Sequence, residues 1–429
     1  MNKRYEIIRY APYNVTGMKY HLEKMAKKGW MIDHITNNYW CYRKSEPADH
    51  IFTVSYFTKA SAYEAEKSEG QETFEEMAAK DGWKLIAENA KLQIYTNHNK
   101  EATPIYTDAE SEVNSIIKAS RSFICLAMVL ITIVLLNFYH VYRRFQRDPL
   151  SALADNSQQF ICLGLMILLI YMLNTVIRYF IWKHQAMRGV ENEEFIETAK
   201  SDFSLQNWVT VIAMMICLSG AISSGNKQMA IIMLTVFFGL FFIYFIVDAF
   251  RILLKKKKTE KNVNLFFTML VDILLALALS AGISFILSTE LNTSYNKNKA
   301  MITMADYIDG ESSHMITNYD ESLWIRYNEA YTASIGKEHL RYRMIDVKNE
   351  KLKDFILQQM LKGDTDYMQD HDYKETDPAL FNADLAYQLQ SGDQKTENYL
   401  IQYGNRFVEI EFSWKPDAED REITAKAFR

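Results

Sequence analysis

Apolar and polar residues are distributed unevenly along the 429-residue chain. From about residue 122 to residue 288 the apolar runs are long and unbroken, where the polar face of an amphipathic helix would interrupt them every few positions. A helix crossing the hydrocarbon of a bilayer needs roughly 17 to 25 mainly apolar residues. Five segments are candidates: Phe123 to Tyr142, Phe160 to Trp182, Trp208 to Ser223, Met229 to Phe250 and Val263 to Leu287. The third is the shortest and contains Ser219, Gly220, Ser223 and Ser224, so a buried core or interfacial helix is its alternative. The pattern predicts a multi-domain membrane protein: an N-terminal α+β domain over 1–121, a central five-helix transmembrane bundle over 122–288 and a C-terminal α+β domain over 289–429.

Residues 1–121 contain an internal repeat. Leu22-Glu23-Lys24-Met25-Ala26-Lys27-Lys28-Gly29-Trp30 returns as Phe74-Glu75-Glu76-Met77-Ala78-Ala79-Lys80-Asp81-Gly82-Trp83. Each copy predicts a helix closed by glycine and followed by a strand. In the first, Met18, Leu22, Met25 and Ala26 share a helical face, Asn14 can cap the start, and Gly29 can take the left-handed conformation. Trp30 and Trp83 can fold back onto the helix ends, so Gly29, Trp30, Gly82 and Trp83 form a structural motif. Strand-like segments run over 5–10, 31–36, 39–43, 51–58, 84–87 and 92–96, with a hairpin turn at Asn37-Asn38. Two β-α-β-β-like units follow, expected to form an antiparallel sheet with both helices on one face.

In the C-terminal region, 322–332, 339–347 and 383–390 predict strands, and 350–362 an amphipathic helix closed by Gly363. The clearest local signal is the alternation of 398–403 and 406–412 about Gly404-Asn405, a tight hairpin. Pro416-Asp417 opens a final helix.

Charge adds an orientation. The whole chain carries 48 Lys plus Arg against 53 Asp plus Glu, a net of -5, which excludes a strongly basic nucleic-acid binder. By segment the net is 0 over 1–121, +4 over 122–288 and -9 over 289–429. The densest basic cluster, Arg251 followed by Lys255 to Lys258, places the loop after the fourth span in the cytoplasm by the positive-inside rule. With five spans the N-terminus is then cytoplasmic and the C-terminus extracytoplasmic, at the plasma membrane. Residues 1–20 lack a signal-peptide apolar core, which agrees. Arg143, Arg144 and Arg147 dissent, because they would lie outside.

Chemistry within the spans is sparse. Arg178 and Asp248 sit near span ends, where snorkelling accounts for them. Asp272 lies about nine residues into the fifth span, roughly 14 Å deep at 1.5 Å per residue. It is either a proton- or cation-responsive carboxylate, partnered by Arg178, Asn137 or Asn174, or a structural acid that fixes helix packing. Structural packing is favoured, since no second midplane acid accompanies it. Cys125, Cys162 and Cys217 suit packing roles. The only metal-like constellation is Asp364, Asp366, Asp370, His371 and Asp372, and it lacks EF-hand order and glycine, so a solvated acidic loop is favoured and no metal or cofactor is expected. No phosphate loop, zincin helix, nucleophile elbow or paired-Cys zinc site is present in the sequence, so no enzyme activity is expected.

The paired Met-Ala-x-Lys-x-Gly-Trp pattern, one residue shorter in its first copy, the Tyr42-Arg43-Lys44-Ser45-Glu46-Pro47 segment and the spans that follow resemble an uncharacterised domain-of-unknown-function family of Gram-positive bacterial membrane proteins. The resemblance covers about the first 120 residues and implies an encoded neighbour of the PadR-like regulator type; it transfers no catalytic residue. The expected role is a non-catalytic sensory or regulatory protein that couples an extracytoplasmic domain to a cytoplasmic docking domain. Its partners would be the lipid bilayer and a cytoplasmic protein bound by 1–121, with no nucleic acid and the ligand unknown. The alternative is a transporter, or a transporter accessory subunit, using Asp272.

Overall fold

In the computed structural model the two Gly-Trp segments build two separate three-stranded antiparallel sheets, a correction to the single sheet expected. The first contains β1 (Lys3–Glu6), β2 (Trp30–Ile35) and β3 (Trp40–Lys44), with α1 (Val15–Lys27) between β1 and β2. The second contains β4 (Ile51–Tyr56), β5 (Lys84–Asn89) and β6 (Leu92–Asn97), with α2 (Glu69–Lys80) between β4 and β5. The strand orders are β1-β3-β2 and β4-β6-β5, so in each the last strand lies in the middle. β2 and β5 lie against one another as edge strands. Each carries a register shift, between Ile32 and His34 and between Leu85 and Ala87. Such bulges twist an edge and break the even spacing of ladder groups that a continuous sheet requires. The structure describes all residues except 1–2, 8–9, 38, 199–203, 223–226, 289–299, 308–313, 334–337, 363–370 and 392–393.

Local chemistry explains the helix ends. Asn14 caps α1 by accepting from the Gly17 N–H at 3.2 Å. Gly29 and Gly82 have φ of +77° and +82°, which side-chain-bearing residues rarely adopt. A Cβ on Gly29 would also stand 2.9 Å from the Ser45 carbonyl oxygen. Trp83 packs with Ala78 and Tyr95 and donates its indole N–H to the Thr103 carbonyl at 2.7 Å. Trp30 packs partly buried against the core beneath α1, where Met18, Leu22, Met25 and Ala26 are all buried.

Among the described residues four helices are long and apolar enough to cross a membrane: α3 (Ala109–Arg147), α5 (Asn156–Val190), α7 (Lys227–Lys256) and α8 (Lys261–Ser288). A shorter helix, α6 (Ser204–Ile222), has its apolar stretch at Trp208–Gly220. The surfaces of α7 and α8 expose large side chains such as Phe238, Phe241, Phe242, Leu274 and Leu277, an apolar area suited to lipid. α3 continues unbroken through residues 121 and 122. Its first turns bury Val113, Ile116 and Ala119 in the same core as α1, because the apolar residues recur at helical spacing before the membrane stretch begins.

The chain forms two units. The first is Met1–Leu135, Leu163–Met215 and Phe237–Ser280; the second is Leu136–Cys162, Ile216–Val236 and Ala281–Arg429.

The second unit is built on a seven-stranded antiparallel sheet of order β10-β11-β12-β13-β9-β8-β7. These are β7 (His314–Glu321), β8 (Ile325–Ala333), β9 (His339–Val347), β10 (His371–Glu375), β11 (Leu385–Ser391), β12 (Gln394–Tyr403) and β13 (Arg406–Phe412). The hairpin at Gly404-Asn405 joins β12 to β13, with Tyr403 paired to Arg406 and Gly404 at φ +57°. One face packs Leu340, Tyr342 and Ile410 with Phe381, from the turn before β11, and with Phe428 of α10 (Ala418–Phe428), whose N-cap is Asp417. The other face packs Ile325, Ile345, Leu400 and Phe407 against Ile356 and Met360 of α9 (Lys353–Lys362). A short helix missed by sequence, α4 (Pro149–Ala154), joins that second core through Leu150 and Ala154. Its six residues are too few to show a period, as are the charged five of β10.

Candidate functional site

Within the first unit the two small sheets and the membrane helices are joined by three sets of contacts. The first is aromatic. The loop before α1 carries Tyr13, whose ring lies 5.6 Å from Tyr179 and stacks 6.0 Å from Trp182, both on α5. The Tyr13 hydroxyl donates to the Thr175 carbonyl at 3.2 Å, and burial pushes that phenol up to about 12. Trp182 is itself buried and donates its indole N–H to the Ile196 carbonyl at 3.2 Å.

The second set is a buried polar contact between the α1 start and the segment after α5. The Thr198 hydroxyl donates to Asn14 Oδ1 at 2.9 Å, and the Thr198 N–H donates to Thr16 Oγ1 at 3.0 Å. All three residues are buried, so these bonds are shielded from competing water.

The third set is ionic and joins the loop between β4 and α2 to the turn between α7 and α8. Lys258 pairs with Glu66 at 2.7 Å and Lys261 with Glu64 at 2.8 Å. Partial burial raises the Glu64 carboxyl, but its bonds to Lys261 and the Ser61 N–H prevail and hold it below its ordinary value. The Lys258 hydrogen bond does the same for Glu66. Fully buried Asn264 donates to the Tyr63 carbonyl at 3.0 Å, and the Arg251 guanidinium lies 6.0 Å from the Tyr63 ring centroid. Beside these contacts is a cleft of about 310 Å³ whose polar lining includes Asn37, Lys67, Glu88, Asn89, Asp248 and Arg251. Both signs of charge line it, and Lys67 is paired to Glu75 and Glu88 while Arg251 is paired to Asp248.

Sequence-predicted residues fall in different places. Arg178 donates to Asn174 Oδ1 at 3.2 Å, one turn away on α5. Asp272 is exposed on the surface of α8. Gly29, Trp30, Gly82 and Trp83 hold helix ends, as described above. Asp364, Asp366 and Asp370 lie outside the described residues; His371 opens β10, and Asp372 is paired across the sheet with Gln390.

In the second unit, Asp148 caps α4 by accepting from the Ser151 N–H, and Asp155 caps α5 by accepting from Gln158. Arg144 of α3 pairs with Asp155 at 2.7 Å, and the Trp324 indole donates to Gln159 at 3.0 Å. The far part of the same sheet face carries a polar concavity of about 410 Å³, lined by Asn318, Glu329, Tyr331, His339, Arg341 and Glu411. Tyr331 and His339 stack at 5.8 Å, and Arg341 pairs with Glu329 at 2.8 Å.

The aromatic set carries no sequence signal, because Tyr13 and Trp182 are far apart in the chain and neither belongs to a motif. Asn14 reads from sequence only as a cap, and Thr198 carries no signal. Equally silent in the sequence is a grouping of Asp33, His34 and Cys41 on the first sheet.

Residues 17–128 match a family model described as a protein of unknown function (DUF2812). The matched stretch runs from within α1, through β2 to β6, into the membrane part of α3, about a quarter of the chain, and leaves out β1. No curated protein and no solved structure matches the chain.

Proposed function

We propose that this multi-pass membrane protein is a sensory or regulatory coupler with no reaction of its own. Its C-terminal sheet domain is extracytoplasmic and takes the signal, and its amino-terminal sheets are cytoplasmic and dock a protein partner. In this reading the amino-terminal units are copies of one β-α-β-β module, α6 is a fifth crossing, and the membrane is the plasma membrane of a Gram-positive bacterium whose regulator is of the PadR-like type.

The observation that carries the proposal is the placement of α4. This helix joins α3 to α5 and is built into the core of the carboxy-terminal sheet by Leu150 and Ala154, whereas the other parts of α3 and α5 are built into the amino-terminal core by Val113, Ile116, Tyr179 and Trp182. A ligand that alters the packing around α4 therefore acts on two helices that also form the docking domain's core. Densely packed cores pass on such displacements rather than absorb them. Orientation is supported by the basic end of α7, whose last turn carries Lys255 and Lys256.

Two experiments test the proposal. Single cysteines at exposed Glu76 and Glu419 are labelled in intact cells with a membrane-impermeant maleimide, the unsubstituted chain serving as blank. Labelling of Glu419→Cys alone is expected; equal labelling of both refutes the opposed placement. Hydrogen exchange over residues 10–30 is then compared between the parent chain and Leu150→Ala. Faster exchange there supports coupling, and an unchanged profile refutes it. A flux that depends on Asp272 would favour the transporter instead.

A further inference from the structure

β2 and β5 share one irregularity but differ in what it carries. Ile32 pairs with Tyr42 and His34 with Cys41, leaving Asp33 as the extra residue; Leu85 pairs with Tyr95 and Ala87 with Ile94, leaving Ile86 as the extra residue. Side chains alternate faces along a regular strand, so adjacent residues cannot reach one point. A bulge suspends that rule by re-aiming one side chain. The Asp33 carboxylate, the His34 imidazole and the Cys41 thiol consequently offer one donor atom each, all within 4.8 Å of one another. At the corresponding positions the second sheet has Ile86, Ala87 and Ile94, which ligate nothing.

We propose that Asp33, His34 and Cys41 bind a divalent transition-metal ion of the zinc class. Sulfur, imidazole nitrogen and carboxylate oxygen together suit a borderline ion that prefers four ligands. A thiolate, a carboxylate and a neutral imidazole balance a charge of +2. As the ion binds, the Cys41 S–H bond breaks, a metal–sulfur bond forms, and the proton leaves to solvent. Trp40 and Tyr42 pack in the core beneath α1, so Cys41 between them lies on the opposite face of the sheet. Its own exposure is 0%, which shields the thiolate, while Asp33 and His34 are partly exposed and leave a path for the ion. The fourth position is left to water or to a donor from a partner.

Lys3 of β1 competes for the site. Its ammonium stands 3.3 Å from Asp33 Oδ2, and the same oxygen lies 3.3 Å from His34 Nδ1. Metal binding requires Lys3 to swing away, which its exposed position at the strand start allows. Removing that positive charge therefore strengthens binding.

The test uses the full chain in detergent micelles, reduced and stripped with a chelator, with Co²⁺ as the probe. Stoichiometric uptake with a thiolate-to-cobalt band in the near ultraviolet, displaced by Zn²⁺, is expected. Cys41→Ser should abolish the band, His34→Gln and Asp33→Asn should each weaken affinity at least tenfold, and Lys3→Met should raise it several-fold. Circular dichroism checks that each variant is folded. Absence of the band, or a band that survives Cys41→Ser, overturns the proposal. A band indifferent to both His34→Gln and Asp33→Asn also overturns it, since a lone thiol would then bind the ion.

Discussion

Asn14 and Thr198, separated by 184 positions, meet through one side-chain oxygen. Asn14 Oδ1 accepts from the Gly17 N–H that starts α1 and from the Thr198 hydroxyl beyond the end of α5. A cap that would ordinarily serve one helix thereby also fixes a loop of the membrane block to the first core.

Asn14→Ala should be more damaging than the loss of a cap alone. A cap contributes about 1 kcal/mol, and a buried hydroxyl left without its acceptor costs about 1 to 3 kcal/mol more. Thermal unfolding of Asn14→Ala, Thr198→Val and the double variant should give a coupling of about 0.5 to 1.5 kcal/mol. Simple additivity would show that the shared oxygen does not link the two segments.

Trp182→Ala removes the indole that stacks on Tyr13 and bonds to Ile196. Truncating a buried aromatic side chain costs about 3 to 5 kcal/mol. Limited proteolysis should then release the amino-terminal sheets from the membrane fraction, whereas Trp182→Phe should retain most of the protection. Equal resistance of Trp182→Ala and the parent would count against the aromatic set as the anchor.

The ionic contacts should respond to pH and salt. The Glu64 and Glu66 carboxyls are held below their ordinary value when folded. Their contribution is therefore complete above that ordinary value of 4.5 and is lost as the pH falls through the depressed folded values. Protection factors against hydrogen exchange over 61–67, each taken relative to the intrinsic rate at that pH, should be retained at pH 5 and fall below pH 4, and 1 M salt should lower them at neutral pH by screening the exposed pairs. Lys258→Gln with Lys261→Gln should remove the salt response and leave only the weaker pH response that the Ser61 N–H bond to Glu64 sustains.

Leu150→Ala should cost about 2 to 5 kcal/mol in the carboxy-terminal sheet, as for other large-to-small core changes. Leu153→Ala, at a partly buried neighbour, should cost less. If calorimetric unfolding of the second unit is unmoved by Leu150→Ala, α4 is not part of that core.

Glu321 offers a pH prediction in the same sheet. Hydrogen bonds from Lys348 and Tyr319 hold its carboxyl down to about 2. The stabilisation is present above the ordinary carboxyl value of 4.5 and disappears as the pH drops toward 2. Lys348→Met should move the carboxyl titration, followed by NMR, back toward the ordinary value.

Much of the fold was legible because it rests on local rules. The glycines at 29 and 82, the Asn14 cap, the Gly404-Asn405 hairpin and the apolar runs report on backbone conformation and solvent within a few residues of themselves. The single sheet expected from the repeat was wrong because bulges at Asp33 and Ile86 leave no local mark. The same invisibility hid the donor group, since an Asp-His pair in a strand reads as two side chains pointing apart.

The sequence by itself determined that several helices are apolar enough for a membrane, four of them long enough among the described residues where five were expected, and where the helices α1 and α2 stop. The tertiary structure alone decided that α4 belongs to the carboxy-terminal core, that Thr198 and Trp182 hold the amino-terminal one, and that Asp33, His34 and Cys41 converge. The physical reason is separation. Solvent preference and backbone dihedrals are properties of a short stretch of chain, but a contact between residues 14 and 198 depends on every turn between them.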